Sequence, residues 1–390
     1  MPVTPFPAPR TLTTTPGGAA LDAPVRVRTD PALPPQGYRL RTGPGGVTVD
    51  HRDALGLRYA LGALDQLRAG HDYTATGYDI SDHPDFPVRG FLLDISRDRV
   101  PTRRTLARWI EILSLARFTQ LELYGEHTYA FRDHRDVWQD ASPLTAEDLR
   151  WLDVHCAAVG IELVANQNTF GHMERFLRHP RHAHRAENPQ GFERGGVHRP
   201  PSTLQPTDDN AAFATALVEE VAREVRSRRL NIGADEPFEL GCGCSAEQVA
   251  EQGPGEVYFS FVTRLMAPWL EAGYTVEFWA DVFAENPELM DRVPPGGYGL
   301  PHERAFRGGI KCRSVMVDPR RSAENQLSHR FRRIDVFLRA TVTCSTDTSC
   351  FRSQTCDVTA CFVARLFALR KSEARPASAY AAAPCSSCRS

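Results

Sequence analysis

Hydrophobic and polar residues follow two different periods in the first 300 residues of the chain. They alternate one by one in three short stretches, residues 25–28, 38–41 and 47–49, which is typical of strands with one buried face. Apolar residues then recur at helical spacing between Ala54 and Leu67. Short strands followed by one covering helix predict a small α+β domain over residues 21–82. The Pro- and Thr-rich residues 1–20 lack both periods, and we interpret them as a flexible leader.

From Val88 onward, buried strands alternate with amphipathic helices. The predicted strands cover residues 88–97, 120–124, 161–165, 230–233 and 276–281. The predicted helices cover residues 105–118, 147–159, 210–226 and 256–272, and Thr145 is the expected cap of the second. Repeated βα units with buried strands predict an α/β fold with a parallel sheet, and so many in series favour a (β/α)8 TIM-type barrel over residues 83–297. Only about five of the eight units of such a barrel precede Pro294, so the barrel is predicted to be incomplete at its C-terminal end.

The last part of the chain has a different composition. Residues 301–390 contain 16 Lys+Arg and 7 Asp+Glu, whereas residues 1–300 contain 30 and 41. Seven of the ten cysteines and both lysines lie after residue 300. We interpret residues 298–390 as an atypical Arg-, Ser- and Cys-rich tail, and we hypothesise that a frameshift near residues 295–310 replaced the last barrel units. Resequencing the gene tests this hypothesis, since no frame in which barrel-like sequence resumes would exclude it.

Composition and motif searches narrow the possible classes of protein. The net charge of −2, with 24% charged and 42% hydrophobic residues, is that of a soluble globular protein and indicates neither a nucleic-acid nor a membrane partner. No apolar run long enough for a transmembrane helix exists, and the N-terminus lacks the apolar core of a signal peptide, so we expect a cytoplasmic protein.

The cluster His179, His182 and His184 has no completing ligand at fixed spacing, so no metal is expected. Phosphate-binding glycine motifs are absent, so no cofactor is expected.

Two adjacent carboxylates mark the most informative segment of the chain. Residues 230–233 are predicted to be the end of a buried strand, after which Asp235 and Glu236 precede Pro237, a residue that cannot continue the pairing. In parallel α/β proteins, catalytic residues lie at this end of the strands. Neighbouring carboxyl groups can have different roles there, because one can stay protonated and act as an acid while the other is ionised. A solvated acidic turn or a helix N-terminus is the alternative interpretation of these residues alone.

The segment Asn231-Ile232-Gly233-Ala234-Asp235-Glu236 resembles the Asp-Glu signature of glycoside hydrolase family 20, the β-N-acetylhexosaminidases. Residues 89–97 resemble the Arg-Gly-x-x-x-Asp-x-x-Arg pattern of the first barrel strand in that family, and the helix at 54–67 resembles the helix of its small N-terminal domain. The resemblance extends over residues 25–295. It implies hydrolysis of terminal β-linked N-acetylglucosamine or N-acetylgalactosamine from an oligosaccharide or glycoconjugate, with retention of configuration and without a cofactor.

The resemblance also implies roles for individual residues. Glu236 would be the general acid/base, and Asp235 would orient the 2-acetamido group of the substrate and stabilise the oxazolinium that forms from it, a substrate-assisted mechanism. Arg97 would bind sugar hydroxyls, for which its rigid fork of donors is suited, although a structural salt bridge is the alternative. His172 matches a Gly-His pair of the family and would lie near the two carboxylates, or else be a packed histidine. Here Asn168 and its neighbour Gln167 occupy positions where the family often has acids.

Trp279 and Asp281 are two residues apart in a predicted strand, so their side chains are expected on the same side. The tryptophan would offer a flat face to a sugar ring or to the acetamido methyl group, and the aspartate would accept a hydrogen bond from a sugar hydroxyl. A core tryptophan with a capping aspartate is the alternative interpretation.

Two other functions remain possible at this point. The first is a catalytically dead, truncated family member that at most binds sugar, because a barrel closes only when its last strand meets the first. The second is a hydrolase of another barrel family that uses Asp235 and Glu236 as a conventional retaining pair.

Overall fold

The structure is a computed structural model that describes residues 3–18, 20–70, 76–97, 99–280, 282–284, 286–300, 314–316 and 335–340. Most of the predicted tail, including its seven cysteines, lies outside the described residues, and so does Asp281. Across the part of the chain that is described, no helix has the length and apolar character needed to cross a membrane.

The N-terminal part is a five-stranded sheet covered by one helix. Its strands, in the spatial order β1-β5-β3-β4-β2, are β1 (Thr11–Pro16), β2 (Val25–Thr29), β3 (Tyr38–Gly43), β4 (Gly46–His51) and β5 (Thr76–Asp82). Helix α1 (Ala54–Ala69) begins at Asp53, whose side chain accepts a hydrogen bond from the Gly56 backbone N–H at 2.9 Å and so caps the helix. Alternate side chains of β3, such as Leu40, are fully buried in one core with Leu64 of α1. The strands and the helix predicted for this region are confirmed.

The interpretation of the first residues as a flexible leader is wrong for their described part. Strand β1 pairs antiparallel with β5, with Thr11 opposite Ser81. Before it, Phe6 and Gln66 exchange two hydrogen bonds, of 2.7 and 2.8 Å, between the Phe6 backbone and the Gln66 amide. The side chains of β1 are almost all exposed, so the strand has no apolar alternation to reveal it. It is held by backbone hydrogen bonds, which need no apolar residue.

The second part contains a sheet of parallel strands with helices between them. Six strands pair in parallel, namely β6 (Arg89–Asp94), β7 (Gln120–Tyr124), β8 (Glu162–Asn166), β11 (Arg229–Asn231), β12 (Thr275–Trp279) and β13 (Gly297–Leu300). The long helices are α2 (Arg103–Leu115), α4 (Ala146–Ala158), α6 (Asp208–Ala222) and α8 (Pro254–Glu271). The shorter elements are α3 (Arg135–Trp138), α5 (Glu174–Leu177), α7 (Ala246–Gln252) and the hairpin β9 (Phe192–Arg194) and β10 (Val197–Arg199). Thr145 caps α4 as predicted. The arrangement is a TIM-barrel-like parallel half-barrel, in which β13 is a sixth strand that extends beyond the predicted boundary.

Two backbone segments from the predicted tail join the same sheet. Strand β15 (Asp335–Ala340) lies parallel to β6, with Phe337 opposite Gly90, and β14 (Ser314–Met316) pairs antiparallel with β15. The free edge expected beside the first barrel strand is therefore covered within the described residues. An unpaired strand edge offers a row of backbone donors and acceptors to any extended segment. The sheet order begins with β13 and ends with β14, and no pairing between those two strands closes the ring in the part of the chain that is described.

Two partly buried arginines of the barrel join it to the N-terminal part. Arg89, the first residue of β6, donates to the Gln36 side chain at 2.9 Å and to the Tyr59 hydroxyl at 2.7 Å. Arg117 forms an ion pair with Asp82 at the end of β5, and both side chains are largely buried, with 13% and 8% exposure. A buried charge that loses its partner is strongly destabilising, so these two arginines fix the N-terminal sheet against the barrel.

We predict that Arg117→Gln lowers the free energy of unfolding by about 3 kcal/mol, because it leaves Asp82 buried without its counter-charge. Arg108→Gln is the control, since Arg108 pairs with Glu111 where both side chains are exposed, and such pairs contribute about 0–1 kcal/mol. Urea denaturation of the wild type and both variants measures the difference. Equal losses in the two variants would show that the Arg117 contact does not join the two parts.

Candidate active site

Polar side chains from four neighbouring strands meet at one rim of the parallel sheet. They follow the carboxyl ends of these strands in the order Asp94 and Arg97 after β6, Tyr124 and Glu126 at β7, Asn168 and His172 after β8, and Asp235 and Glu236 after β11. In parallel α/β folds this is the rim at which catalytic residues are found. The structure therefore brings together four of the predicted site residues, which are Arg97, His172, Asp235 and Glu236.

The two carboxylates leave β11 through a tight turn. Gly233, Ala234 and Glu236 all have left-handed backbone conformations, with φ of 65°, 65° and 49°. A Cβ atom on Gly233 would lie 2.6 Å from the Asn168 Oδ1 atom, so only glycine fits there. Non-glycine residues in this region cost free energy and often occur at functional sites. The turn separates the environments of the two acids, because the Asp235 side chain is 2% exposed and that of Glu236 is 15% exposed.

Asn168 holds this turn with both ends of its amide. Its Oδ1 atom accepts from the backbone N–H of Ala234 at 3.0 Å, and its Nδ2 atom donates to Asp235 Oδ1 at 2.5 Å. The same Nδ2 atom lies 2.7 Å from the hydroxyl oxygen of Tyr124, and that hydroxyl donates to Asp235 Oδ2 at 3.4 Å. Each carboxylate oxygen of Asp235 therefore accepts a hydrogen bond, one from Asn168 and one from Tyr124. The sequence analysis noted Asn168 only as a departure from the family pattern, and the structure places it in direct contact with Asp235.

His172 lies between three carboxyl groups. Its Nε2 atom is 3.5 Å from both Asp235 Oδ2 and Glu236 Oε2, and its Nδ1 atom is 3.5 Å from Glu126 Oε1. Burial alone would lower the pKa of His172, but its contacts with these acids raise the pKa to about 9. The neighbouring Gly171 permits this approach, since a Cβ atom there would lie 2.1 Å from the Asp235 carbonyl oxygen. His172 is therefore a cation at neutral pH that both members of the carboxylate pair share.

Arg97 is fixed on the other side of His172. Its guanidinium is 3.3 Å from Asp94 Oδ2 and 2.8 Å from Glu126 Oε1, and its side chain remains 47% exposed. Burial opposes the charge, but Glu126 and Asp94 raise the pKa of Arg97 above its ordinary value. Asp94 thus orients Arg97. A guanidinium has five N–H donors, so these two contacts leave donors for a ligand.

Glu126 and Tyr124 are site residues that the sequence analysis missed. Burial raises the pKa of Glu126 to about 7, although Arg97 and His172 act in the opposite direction. Burial, followed by the charges of Asp235 and Glu126, raises the pKa of Tyr124 well above its ordinary value. The available signal was position, because Glu126 follows the end of a predicted buried strand by two residues, much as Asp235 and Glu236 follow theirs.

A second polar layer lies beneath the rim, inside the sheet. Fully buried Glu122 accepts from the amide nitrogens of Asn166 and Asn231, at 2.9 and 3.0 Å. Burial, and then the nearby charge of Glu277, raise the pKa of Glu122 well above its ordinary value. The amide oxygens of the two asparagines accept from the backbone N–H groups of Gly125 and Gly233, at 3.3 and 2.8 Å. Those glycines immediately precede the segments that carry Glu126 and Asp235, so this layer positions both acids.

Trp279 ends β12 and is 3% exposed in a cluster with Leu92, Tyr124 and Leu300. It thus packs beneath the site against Tyr124, which itself contacts Asp235. Its predicted partner Asp281 lies outside the described residues. Among the residues that the structure does describe, no group of three or more His, Cys, Asp and Glu side chains could hold a metal ion.

No family model matches the chain, but comparisons with known proteins found relatives of similar sequence and of similar fold. The chain is 24% identical over 291 residues to a β-hexosaminidase of Akkermansia muciniphila, covering 64% of this chain and 56% of the relative. It is 30% identical over 152 residues to hexosaminidase D of Bos taurus, covering 36% and 41%. The chain thus spans about half the length of the curated relatives that it matches. The fold is similar to that of the GH20 β-N-acetylhexosaminidase of Streptomyces coelicolor A3(2), with a TM-score of 0.56, 19% identity and coverage of 76% of this chain and 69% of that one.

The contacts of His172 predict a pH-dependent contribution to stability. Because its pKa is raised from 6.5 to about 9 in the folded protein, the stabilisation is fully present below pH 6.5 and is lost as the pH rises through 9. We predict that the difference in unfolding free energy between the wild type and His172→Asn shrinks over that range by up to roughly 3 kcal/mol. Asparagine tolerates the left-handed backbone at this position, where φ is 57°.

Denaturant titrations at a series of pH values measure this difference. His155→Asn is the matched control, because His155 is exposed on α4 and contacts the Trp151 carbonyl group. A difference between the wild type and His172→Asn that stays constant from pH 6 to pH 10 would contradict the predicted charge of His172.

Proposed function

We propose that the chain, which is similar in sequence to a β-hexosaminidase and in fold to a GH20 enzyme, is a member of glycoside hydrolase family 20 and an exo-β-N-acetylhexosaminidase. It would remove terminal β-linked N-acetylglucosamine or N-acetylgalactosamine from an oligosaccharide or glycoconjugate. The observation that carries the proposal is the pair of adjacent carboxylates with different exposure, Asp235 and Glu236, whose side chains both lie 3.5 Å from His172. One acid is buried and held by neutral donors, and the other is open enough to exchange a proton with a substrate.

In the proposed reaction, the acetamido oxygen of the substrate attacks the anomeric carbon as the glycosidic C–O bond breaks. Glu236 donates its proton to the leaving oxygen, and an oxazolinium ion forms on the terminal N-acetylhexosamine. Asp235 accepts a hydrogen bond from the acetamido N–H and stabilises the positive charge that develops there. Water then attacks the anomeric carbon, Glu236 takes a proton from it, and the bond from the anomeric carbon to the acetamido oxygen breaks. The two successive inversions at the anomeric carbon retain the configuration.

The remaining residues of the rim would bind the sugar and tune the two acids. Arg97 would donate to hydroxyl groups of the terminal sugar, since Asp94 and Glu126 hold its guanidinium while nearly half of the side chain stays exposed. His172, whose Nε2 atom lies 3.5 Å from both acids, would hold their side chains in position. Trp279, buried against Tyr124, would form the floor beneath the acetamido group, and Asp281 remains a proposed contact to a sugar hydroxyl.

The extent of the barrel bears on whether this chain is active. The six parallel strands from β6 to β13 supply every described residue of the proposed site, and β15 covers the outer edge of β6. We propose that these strands are sufficient to form the site. A catalytically dead member remains the competing proposal, and the next experiment separates the two.

We predict that the purified chain hydrolyses N,N′-diacetylchitobiose and that Glu236→Gln lowers kcat by roughly 100-fold or more, the usual contribution of a general acid. The loss should be smaller with 4-nitrophenyl N-acetyl-β-D-glucosaminide, because nitrophenolate leaves with little help from an acid. Glu251→Gln, an exposed acid on α7, is the matched control and should retain full activity. Folded wild-type protein without turnover of either substrate would favour the inactive, sugar-binding member.

We also predict that Asp235→Asn lowers kcat by about 100-fold or more and weakens binding of a thiazoline inhibitor that mimics the oxazolinium. Asp140→Asn, a change of the same kind at an exposed position, should alter neither value. Comparison with 4-nitrophenyl β-D-glucoside, which lacks the acetamido group, tests substrate assistance directly. Equal turnover of the two nitrophenyl substrates, together with no binding of the thiazoline, would instead indicate a conventional retaining pair.

A further inference from the structure

Two fully buried carboxylates fasten a hairpin to the loop that follows Glu236. Glu187 precedes the β9–β10 hairpin and accepts from the Ser245 N–H at 3.0 Å and the Ser245 hydroxyl at 2.7 Å. Glu239 lies three residues after Glu236 and accepts from the N–H groups of Ser202 and Thr203, at 2.6 and 3.0 Å. Each segment therefore provides a carboxylate that binds backbone of the other. Buried charge-assisted hydrogen bonds of this kind are strong, so the hairpin has a fixed position beside the catalytic loop.

One face of this hairpin contacts the catalytic loop. In the hairpin register, Phe192 is opposite Arg199 and Arg194 is opposite Val197, so these four side chains share one face of the ribbon. The Phe192 ring lies 6.5 Å from the ring of Phe238, and the Arg194 guanidinium lies 3.5 Å from the Phe238 ring centre. Phe238 is only two residues beyond Glu236, and its N–H donates to the Glu236 carbonyl at 2.7 Å. The shared face of the hairpin thus borders the site on the Glu236 side.

That side is where the leaving group must lie. Glu126, which pairs with Arg97, lies beside the Nδ1 atom of His172, whereas Glu236 lies beside its Nε2 atom. The proposed sugar-binding arginine and the proposed acid are therefore on opposite sides of the imidazole ring. A general acid must be within hydrogen-bond reach of the leaving oxygen, so the leaving sugar extends past Glu236 towards Phe238.

The hairpin face carries positive charge that has no counter-charge in the described structure. Arg194 and Arg199 are both exposed, and neither forms an ion pair with any residue that the structure describes. The acid of the hairpin, Glu193, lies on the opposite face, 3.1 Å from His198. Residues 172–200 contain six arginines and three glutamates, one of which is the buried Glu187, although residues 1–300 are acidic overall.

We propose that this face, made of Phe192, Arg194, Arg199 and the adjoining Phe238, binds a leaving-group sugar that carries a negative charge. The aromatic rings would contact the apolar face of the sugar, and the arginines would pair with a carboxylate or sulfate on it. The preferred substrate is then an N-acetylhexosamine linked to a uronic acid or to a sulfated sugar. This inference rests on the proposed function for the side on which the leaving group lies.

Binding to the Glu236→Gln variant tests the inference without turnover. Calorimetry would compare three disaccharides with terminal β-1,4-linked N-acetylglucosamine, in which the second sugar is glucose, glucuronic acid or 6-O-sulfoglucose. We expect at least one anionic disaccharide to bind roughly fivefold tighter than the neutral one at low ionic strength, which is the size of effect that exposed arginine pairs provide. Comparing the glucuronic acid disaccharide with the 6-O-sulfoglucose disaccharide shows whether a carboxylate or a sulfate is preferred. The preference should decline in high salt, because exposed charges are screened.

Adding Arg194→Gln and Arg199→Gln to the Glu236→Gln variant should bring the ratio of its affinities for the anionic and the neutral disaccharide close to one. Adding Arg39→Gln, which removes an exposed arginine of the N-terminal sheet, should leave the ratio unchanged. Equal binding of all three disaccharides would overturn the inference, as would a preference that survives the double change or that disappears with Arg39→Gln. Chitobiose turnover by the wild type reports the proposed function separately, so an active enzyme without the preference and an inactive protein with it are distinguishable results.

Discussion

The contact between Asn168 and the Asp235–Glu236 turn is the interaction on which the site depends. One amide fixes the backbone at Ala234 and donates to Asp235, so the turn and the carboxylate are oriented together. The amide carries no net charge, which leaves His172 and Arg97 as the cations of the described rim. An acid at position 168 would place a like charge next to Asp235 and would lack the amide N–H that donates to it. The departure from the family pattern at this position is therefore compatible with the chemistry that we propose.

This rim rests on the polar layer inside the sheet. Glu122 holds Asn166 and Asn231, and each asparagine accepts from the backbone just before one of the acids of the rim. A buried polar network is stable only when its members are hydrogen-bonded to each other. The hydrogen bonds inside the parallel sheet therefore fix the backbone at the ends of the strands, and with it the position of the acid that follows each strand. The same logic applies at the surface, where Glu187 and Glu239 fix the hairpin beside Glu236.

The first barrel strand, β6, has a different task at each of its ends. Arg89 enters the interface with the N-terminal sheet, and Arg97 reaches the opposite rim. A parallel strand has its carboxyl end at the catalytic rim and its amino end on the other side of the sheet. The strand therefore couples the attachment of the N-terminal part to the placement of Arg97, the arginine that we propose binds the sugar. Its hydrophobic centre, with Phe91 and Leu92 fully buried, keeps the two ends in register.

The sequence by itself determined the order of the long helices and of the predicted strands between Val25 and Trp279, and the location of Asp235, Glu236, Arg97 and His172 at strand ends. These features are local, because periodicity and turn residues act within a few positions of the chain. The tertiary structure decided that Asn168 binds Asp235, which is 67 residues away, and that Glu126 joins Arg97 and His172. It also decided that the Thr-rich strand β1 completes the first sheet and that the hairpin borders Glu236. Such contacts join strands that are distant in sequence, and a side chain gains a partner only when the fold brings that partner to it.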